Sequence, residues 1–157
     1  MSNKTHNYQI DLKWTGNQGT GTSNYREYKR DHVFSMQGKP EIPGSSDPAF
    51  RGDPTRYNPE DLLVSSLAAC HMLWFLHLCS THKIVVTDYQ DRATGTMTEN
   101  ADGSGQFSEV TLNPVITLAD ERMQALADSL HEKANKACFI ANSCNFPVYH
   151  KATYRYE

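Results

Sequence analysis

Asn58–Thr81, NPEDLLVSSLAACHMLWFLHLCST, is the longest apolar run in an otherwise polar chain. It opens with the signals of a helix start. Asn58 is a good N-cap, Pro59 suits the first helical position, and Glu60 and Asp61 favour the positive end of a helix dipole. From Leu62 to Cys79 nearly every position is apolar or small. A surface helix shows one apolar stripe, whereas this one is apolar almost all round and is expected to be buried on most sides. Cys70 sits in its middle. A thiol in a buried helix usually packs as a small hydrophobe, so whether Cys70 does more decides the function.

Around this stretch lie 157 residues, the length of a single domain spanning 1–157. The net charge is −3, from 15 basic and 18 acidic residues. That balance gives no basic footprint for nucleic acid and no polybasic membrane patch. The opening MSNKTHNYQIDLKW lacks the apolar core of a signal peptide. The central run is read as shorter than the ~20 residues of a bilayer span, and it contains His71 and His77. A soluble, cytoplasmic protein is expected. Its four cysteines then read as thiols rather than as a disulfide framework.

Toward the N-terminus, Tyr8, Ile10, Leu12 and Trp14 share one face of a half-buried strand over 8–14. Glycine-rich 16–24 is a turn, and a second strand is expected over 25–36. Residues 38–59 hold five of the seven prolines and predict neither a helix nor a central strand. Loops of this length are usually functional. Toward the C-terminus, 83–99 reads as a strand, 100–105 as a hairpin turn, and 106–115 as a returning strand. Phe107, Val110 and Leu112 do not share one parity, which predicts a bulge. Pro114 suggests the strand's end. Thr117–Asp120 resembles a capping box for a second helix running to about Lys136, with Leu126, Leu130, Ala134 and Cys138 as its inward stripe. Val148 to Tyr156 alternates as a last strand. The order β-β-α-β-β-α-β is an α+β pattern.

One small sheet and one further helix cover about two sides of a helix that is apolar on all sides. The expected solution is an intertwined homodimer in which the central helix meets its symmetry mate.

Nine residues turn a helix by about 900°, so Cys70 and Cys79 face opposite ways and cannot pair. Cys70 and Cys138 each lie on an inward face of a different helix and could meet in the core; packing remains the alternative for both. A reactive thiol must be a thiolate, which burial opposes, so a cation is needed. Arg26, Arg30, Arg51 and Arg56 are the candidates, and a carboxylate such as Glu60 could hold a guanidinium in place. No CxxC, HExxH, GxSxG or glycine-rich phosphate loop is present, so neither metal nor nucleotide cofactor is expected.

The segment Asn58-Pro-Glu-Asp-Leu-Leu-Val-Ser-Ser-Leu-Ala-Ala-Cys70 resembles the NPE-x-L-x(5)-A-A-C signature of the OsmC/Ohr family, the osmotically inducible and organic-hydroperoxide-resistance proteins. Ala134-Asn-Lys-Ala-Cys138-Phe-Ile-Ala-Asn-Ser143 looks like that family's second cysteine region. The resemblance implies a thiol-dependent peroxidase acting on organic hydroperoxides. Cys70 would be the peroxidatic residue and Cys138 the resolving one, recycled by a lipoyl-type dithiol. Arg30 best matches the family's arginine, with Arg26 as fallback, and Glu60 its glutamate. In an unbroken helix Glu60 and Cys70 stand ~15 Å apart along the axis. Either the helix breaks near Ser65–Ser66, or the site is shared between subunits. The sequence departs from the family after each cysteine, in His71 to His77 and in Cys138-Phe-Ile. Phe34, Phe50, Tyr57, Trp74 and Phe139 could wall an apolar pocket. The alternative is a non-enzymatic dimer of the same fold binding an apolar small molecule.

Overall fold

The computed structural model describes residues 4–157. The chain divides into two compact units, one ending at Leu62 and one running from Leu63 to Glu157.

The first unit is a three-stranded sheet of β1 (Asp11–Trp14), β2 (His32–Ser35) and β3 (Ile42–Gly44), all antiparallel with β2 central. The edge strand carries Pro43, which has no N–H to give a second neighbour. β1 is not half-buried: all four residues, with Tyr8 and Ile10 before them, are exposed. The strand expected over 25–36 is shorter than its apolar pattern suggests. Asn24 takes the Arg26 N–H on its side chain at 2.9 Å and the Glu27 N–H on its carbonyl at 3.1 Å, which folds 24–27 into a turn. Arg26 and Arg30 therefore stand in a loop, not on a strand. The proline-rich segment includes β3 and a one-turn 3-10 helix at Pro48–Phe50, capped by Asp47.

The central helix α1 runs without a break from Pro59 to Thr81. Asn58 and Asp61 form a reciprocal box: Asp61 N–H donates to Asn58 Oδ1 at 2.7 Å, and Asn58 N–H donates to Asp61 Oδ2 at 3.2 Å. Of the two alternatives, a break near Ser65–Ser66 is absent. Ser66 Oγ instead donates back to Leu63 O at 2.7 Å, which a continuous helix accommodates. At its C-terminus Lys83 takes the left-handed conformation (φ 59°), and Ile84 N–H returns to Cys79 O at 2.9 Å.

At 23 residues α1 is longer than the apolar run suggested, and long and apolar enough to cross a bilayer by length and composition. What marks it as a core helix is a stripe at every fourth residue, Leu67, His71, Phe75 and Cys79, which is fully buried. The chain does not bury the helix on most sides. Leu73, on the opposite face, is 64% exposed.

The second unit continues with β4 (Val86–Asp91), β5 (Thr94–Glu99), β6 (Gly105–Leu112) and β7 (Pro114–Leu118). Each arm of one long hairpin is broken in the middle, so β4 pairs with β7 and β5 with β6. Asn113 makes the break. Its backbone N–H donates to Asp91 Oδ1 at 2.7 Å, and its Nδ2 to Arg92 O at 3.0 Å. Pro114 therefore opens a strand rather than closing one, and Thr117 lies in β7. The expected bulge is present: Thr96 faces Glu109 but Met97 faces Phe107, leaving Ser108 as the extra residue.

The second helix, α2 (Gln124–Ala137), follows a 3-10 turn whose cap is Asp120, not Thr117; Asp120 Oδ1 takes the Arg122 N–H at 3.0 Å. β8 (Val148–His150) and β9 (Thr153–Tyr156) then add in parallel to β6 and β7. The new strand β3 and the splitting of three expected strands into two each thus extend the expected order, and the class remains α+β.

Two cores result. Phe75, Cys79, Ile84, Ile116, Leu118, Ala127, Leu130 and Ala134 form one; Leu67, Val110 and Leu112 form the other. The inward stripe of α2 includes Ala127 and His131, while Leu126 is 36% exposed. Leu130→Ala is expected to cost about 2–5 kcal/mol, the range for emptying a sealed leucine site. Leu126→Ala should cost well under half as much. Urea unfolding of the two variants checks this.

Candidate redox site

Two helices each deliver one thiol. Cys70 comes from the middle of α1, on the flank of its buried stripe, and is partly accessible. Cys138 is the C-cap of α2, where the chain turns extended, and is 1% exposed. The two thiols are neighbours: Cys70 is among the groups that act on the ionisation of Cys138. All four cysteines are free thiols.

Burial is the main reason that the Cys138 thiol is pushed up to about 11. The hydrogen bond to Cys70 and the repulsion of a negative Cys70 act in the same direction. Ala141 N–H, 3.4 Å from Cys138 Sγ, pulls the other way. Cys138 is therefore a protonated thiol at neutral pH. The other two cysteines lie apart in role. Cys79 is sealed in the first core, its thiol pushed up to about 11 by burial, and Cys144 donates to Ile140 O at 3.3 Å.

Beside the thiols is a feature that the sequence reading missed. His71, His131 and His150 stack with ring centroids 5.2 to 5.6 Å apart. His71 Nε2 and His131 Nδ1 are hydrogen-bonded at 2.9 Å, and both residues are 1% exposed. Phe75 stacks on His131 at 3.9 Å. His131 Nε2 is buried without a partner. The tautomer that leaves no buried N–H there without an acceptor has His131 Nδ1–H donating to His71 Nε2. Burial lowers His71 to about 4 and His131 to about 3, helped by the repulsion of the neighbouring imidazoles. Both rings are neutral at physiological pH. The signal was present in the sequence, since His71 stands midway between Leu67 and Phe75 in a four-residue repeat. Among the described residues no three His, Cys, Asp or Glu side chains are placed to hold a metal ion.

The other expected site residues belong to the first unit. Arg30 is held between two aromatic rings, 4.3 Å from the Tyr25 centroid and 4.1 Å from that of Tyr28. It donates to Tyr28 O at 2.5 Å and to Tyr25 O at 2.9 Å. Arg26, Arg30 and Arg51 line a cavity of about 550 Å³ with Lys29. Arg56 pairs with Asp31 at 3.8 Å and with Asp53 at 3.5 Å. Glu60 forms no ion pair among the described residues, and its Oε2 is buried without a hydrogen-bond partner. Of the expected aromatic wall, Trp74 and Phe139 meet edge to face at 5.7 Å. Trp74 also lines a groove with Leu73 and His77. Phe50 and Tyr57 are exposed.

Comparison with known proteins bears on this arrangement. The profile of the OsmC-like protein family matches residues 52–151. The structure of an OsmC-like protein of unknown function from Vibrio cholerae is similar, with a TM-score of 0.83 at 26% identity over 95% of this chain and 100% of that one. An organic hydroperoxide resistance protein from Elizabethkingia anophelis gives 0.65 at 20% identity, over 98% and 100% of the two chains. One from Legionella pneumophila gives 0.66 at 20%, over 96% and 98%. At these lower identities the likeness shows the fold alone. No curated protein sequence matches the chain.

The histidine stack predicts acid sensitivity. His71 and His131 bind protons less tightly folded than unfolded, where imidazole titrates at about 6.5. Their contribution is complete above that value and is lost as pH falls through it toward about 4 and 3. A tenfold change in proton affinity is worth about 1.4 kcal/mol, so a few kcal/mol should go. Thermal melts from about pH 7 down to about pH 4 should show a falling midpoint, with a shallower fall in His131→Phe.

Proposed function

This chain belongs to the OsmC-like protein family, and from the meeting of Cys70 and Cys138 on two packed helices we propose that it reduces organic hydroperoxides by thiol chemistry. The thiol pair carries the reading. The Cys70 thiolate attacks one oxygen of the peroxide. An S–O bond forms, the O–O bond breaks, and the departing alkoxide takes a proton to become an alcohol. Cys70 is left as a sulfenic acid, oxidised by two electrons. That step removes the negative charge on Cys70, one of the causes that hold the proton on Cys138. Cys138 then attacks the Cys70 sulfur. The S–S bond forms, and the sulfenic oxygen leaves as water. A dithiol of the lipoyl type reduces the disulfide and becomes a cyclic disulfide itself.

The remaining parts of the site follow from α1. Glu60 and Cys70 stand ~15 Å apart along one unbroken helix. One arginine does not serve both on the same chain. We assign Glu60 and Arg30, with Arg26 as the alternative guanidinium, to sites completed across a homodimer. The unpaired buried oxygen of Glu60 supports this, since a partner cation would satisfy it. Arg30 would have to leave its two tyrosines to reach a thiolate. The exposed apolar face around Leu73, and that of β1, are the surfaces a symmetry mate would cover. The cytoplasm is the compartment that keeps such thiols reduced.

Mixing reduced protein with cumene hydroperoxide and counting free thiols tests the activity. The expected result is rapid loss of two thiols per chain, abolished by Cys70→Ser. No loss, or loss unchanged in Cys70→Ser, favours the non-enzymatic alternative. Leu73→Arg should convert the dimer to monomer in sedimentation, and an unchanged dimer would remove α1 from the interface.

A further inference from the structure

The hydrogen-bonded pair His71–His131 joins the same two helices that carry the two thiols. We propose that this pair is a clamp that fixes the reach between Cys70 and Cys138 and so sets how readily their disulfide closes. His71 and His131 are positioning residues here, and neither touches the peroxide.

His71 is the residue after Cys70, so its backbone and that of the thiol move together. His131 precedes Cys138 by seven residues, two turns of helix, which places both on one face of α2. The α1–α2 contact therefore holds two polar pairs in neighbouring layers, imidazole on imidazole and sulfur on sulfur. Around them Leu67, Phe75, Leu130 and Ala134 supply apolar packing, which resists separation of the helices but tolerates sliding. A hydrogen bond of 2.9 Å between rings tilted by only 6° does not tolerate sliding. Disulfide closure is correspondingly demanding, because Cα atoms much beyond ~7 Å cannot be bridged without backbone movement. Cys138 is also the last point at which α2 holds the chain, so the clamp is what connects the thiol's position to the body of the helix.

His150 completes the stack from β8, 3.5 Å from Glu132 on α2, and Asn135 donates to Val148 O at 2.9 Å. These contacts tie α2 to β8, so the clamp is braced by the sheet behind it.

The clamp deepens the peroxidase reading of this thiol pair, but its test does not depend on peroxide. Diamide oxidises two thiols to a disulfide and is itself reduced to the hydrazine, so it reports closure directly. Reduced protein is treated with diamide, and Cys70–Cys138 formation is followed by mass mapping. The equilibrium constant of the disulfide is then measured against glutathione. His131→Phe keeps the ring stack and removes the hydrogen bond. It is expected to give a less stable disulfide and to close roughly ten- to a hundredfold more slowly, up to the loss that a misplacement of about 1 Å can cause. His131→Asn places an amide N–H where Nδ1–H stands and is expected to restore most of the rate. Melting curves establish that each variant is folded; should His131→Phe not fold, His71→Phe removes the other partner and is read in the same way. A folded His131→Phe that closes as fast as the parent overturns the clamp. So does a folded His131→Asn that is as slow as His131→Phe, since ring packing would then be the cause. If diamide closes the parent's disulfide and cumene hydroperoxide does not, the peroxidase reading fails while the clamp stands.

Discussion

The contact of α1 with α2 is the constraint on which the second unit depends. α1 buries only every fourth residue in its own chain, a stripe one side chain wide. A helix held along so narrow a line is free to roll and slide unless something specific fixes it. Phe75 supplies shape by stacking on His131, and His71 supplies direction through its hydrogen bond to the same ring. Replacing either histidine by a simple hydrophobe would retain most of the buried apolar area. It would also discard a hydrogen bond of defined length and angle across this seam.

The chemistry inherits its asymmetry from that contact. Cys70 rides on the flank of the stripe, where it stays partly accessible, whereas Cys138 is enclosed. Two thiols of the same intrinsic acidity are thereby given different surroundings. Burial, above all, keeps the proton on the enclosed thiol. Of the two, Cys70 is the one that solvent reaches. Neutral imidazoles beside them add no charge that would disturb this order at physiological pH.

Much of the fold was legible in the sequence where the deciding interactions are local. The start of α1 follows from Asn58-Pro59-Glu60-Asp61, the bulge from the broken parity of 106–115, and the turn at 100–105 from its glycines; Asn100 N–H indeed meets Ser104 O at 2.7 Å. What escaped notice rests on contacts between residues distant in sequence. The breaks at Arg92–Ala93 and Asn113 depend on bonds from Asn113 to Asp91 and Arg92. Of the expected α2 stripe Leu130, Ala134 and Cys138 are buried, and only at its start does Ala127 take the place of Leu126, against Ile116 and Leu118 of β7. The meeting of Cys70 and Cys138 was open from the sequence, since each was placed on an inward helix face. His71 and His131 were not recognised, because a histidine in an apolar stripe announces its partner only once both helices are in place. Arg30 was assigned to a strand by its neighbours' apolar pattern, but Asn24 turns the chain before the strand begins.

The measurement that bears most directly on this account is the identity of the disulfide formed when the reduced protein meets one equivalent of an organic hydroperoxide. Chymotryptic cleavage at the aromatic residues that follow Cys70 and Cys138 separates each from Cys79 and Cys144. The account predicts a single linkage, Cys70 to Cys138, formed within the time in which the peroxide is consumed. A linkage through Cys79 or Cys144, or four free thiols with the peroxide untouched, would contradict it.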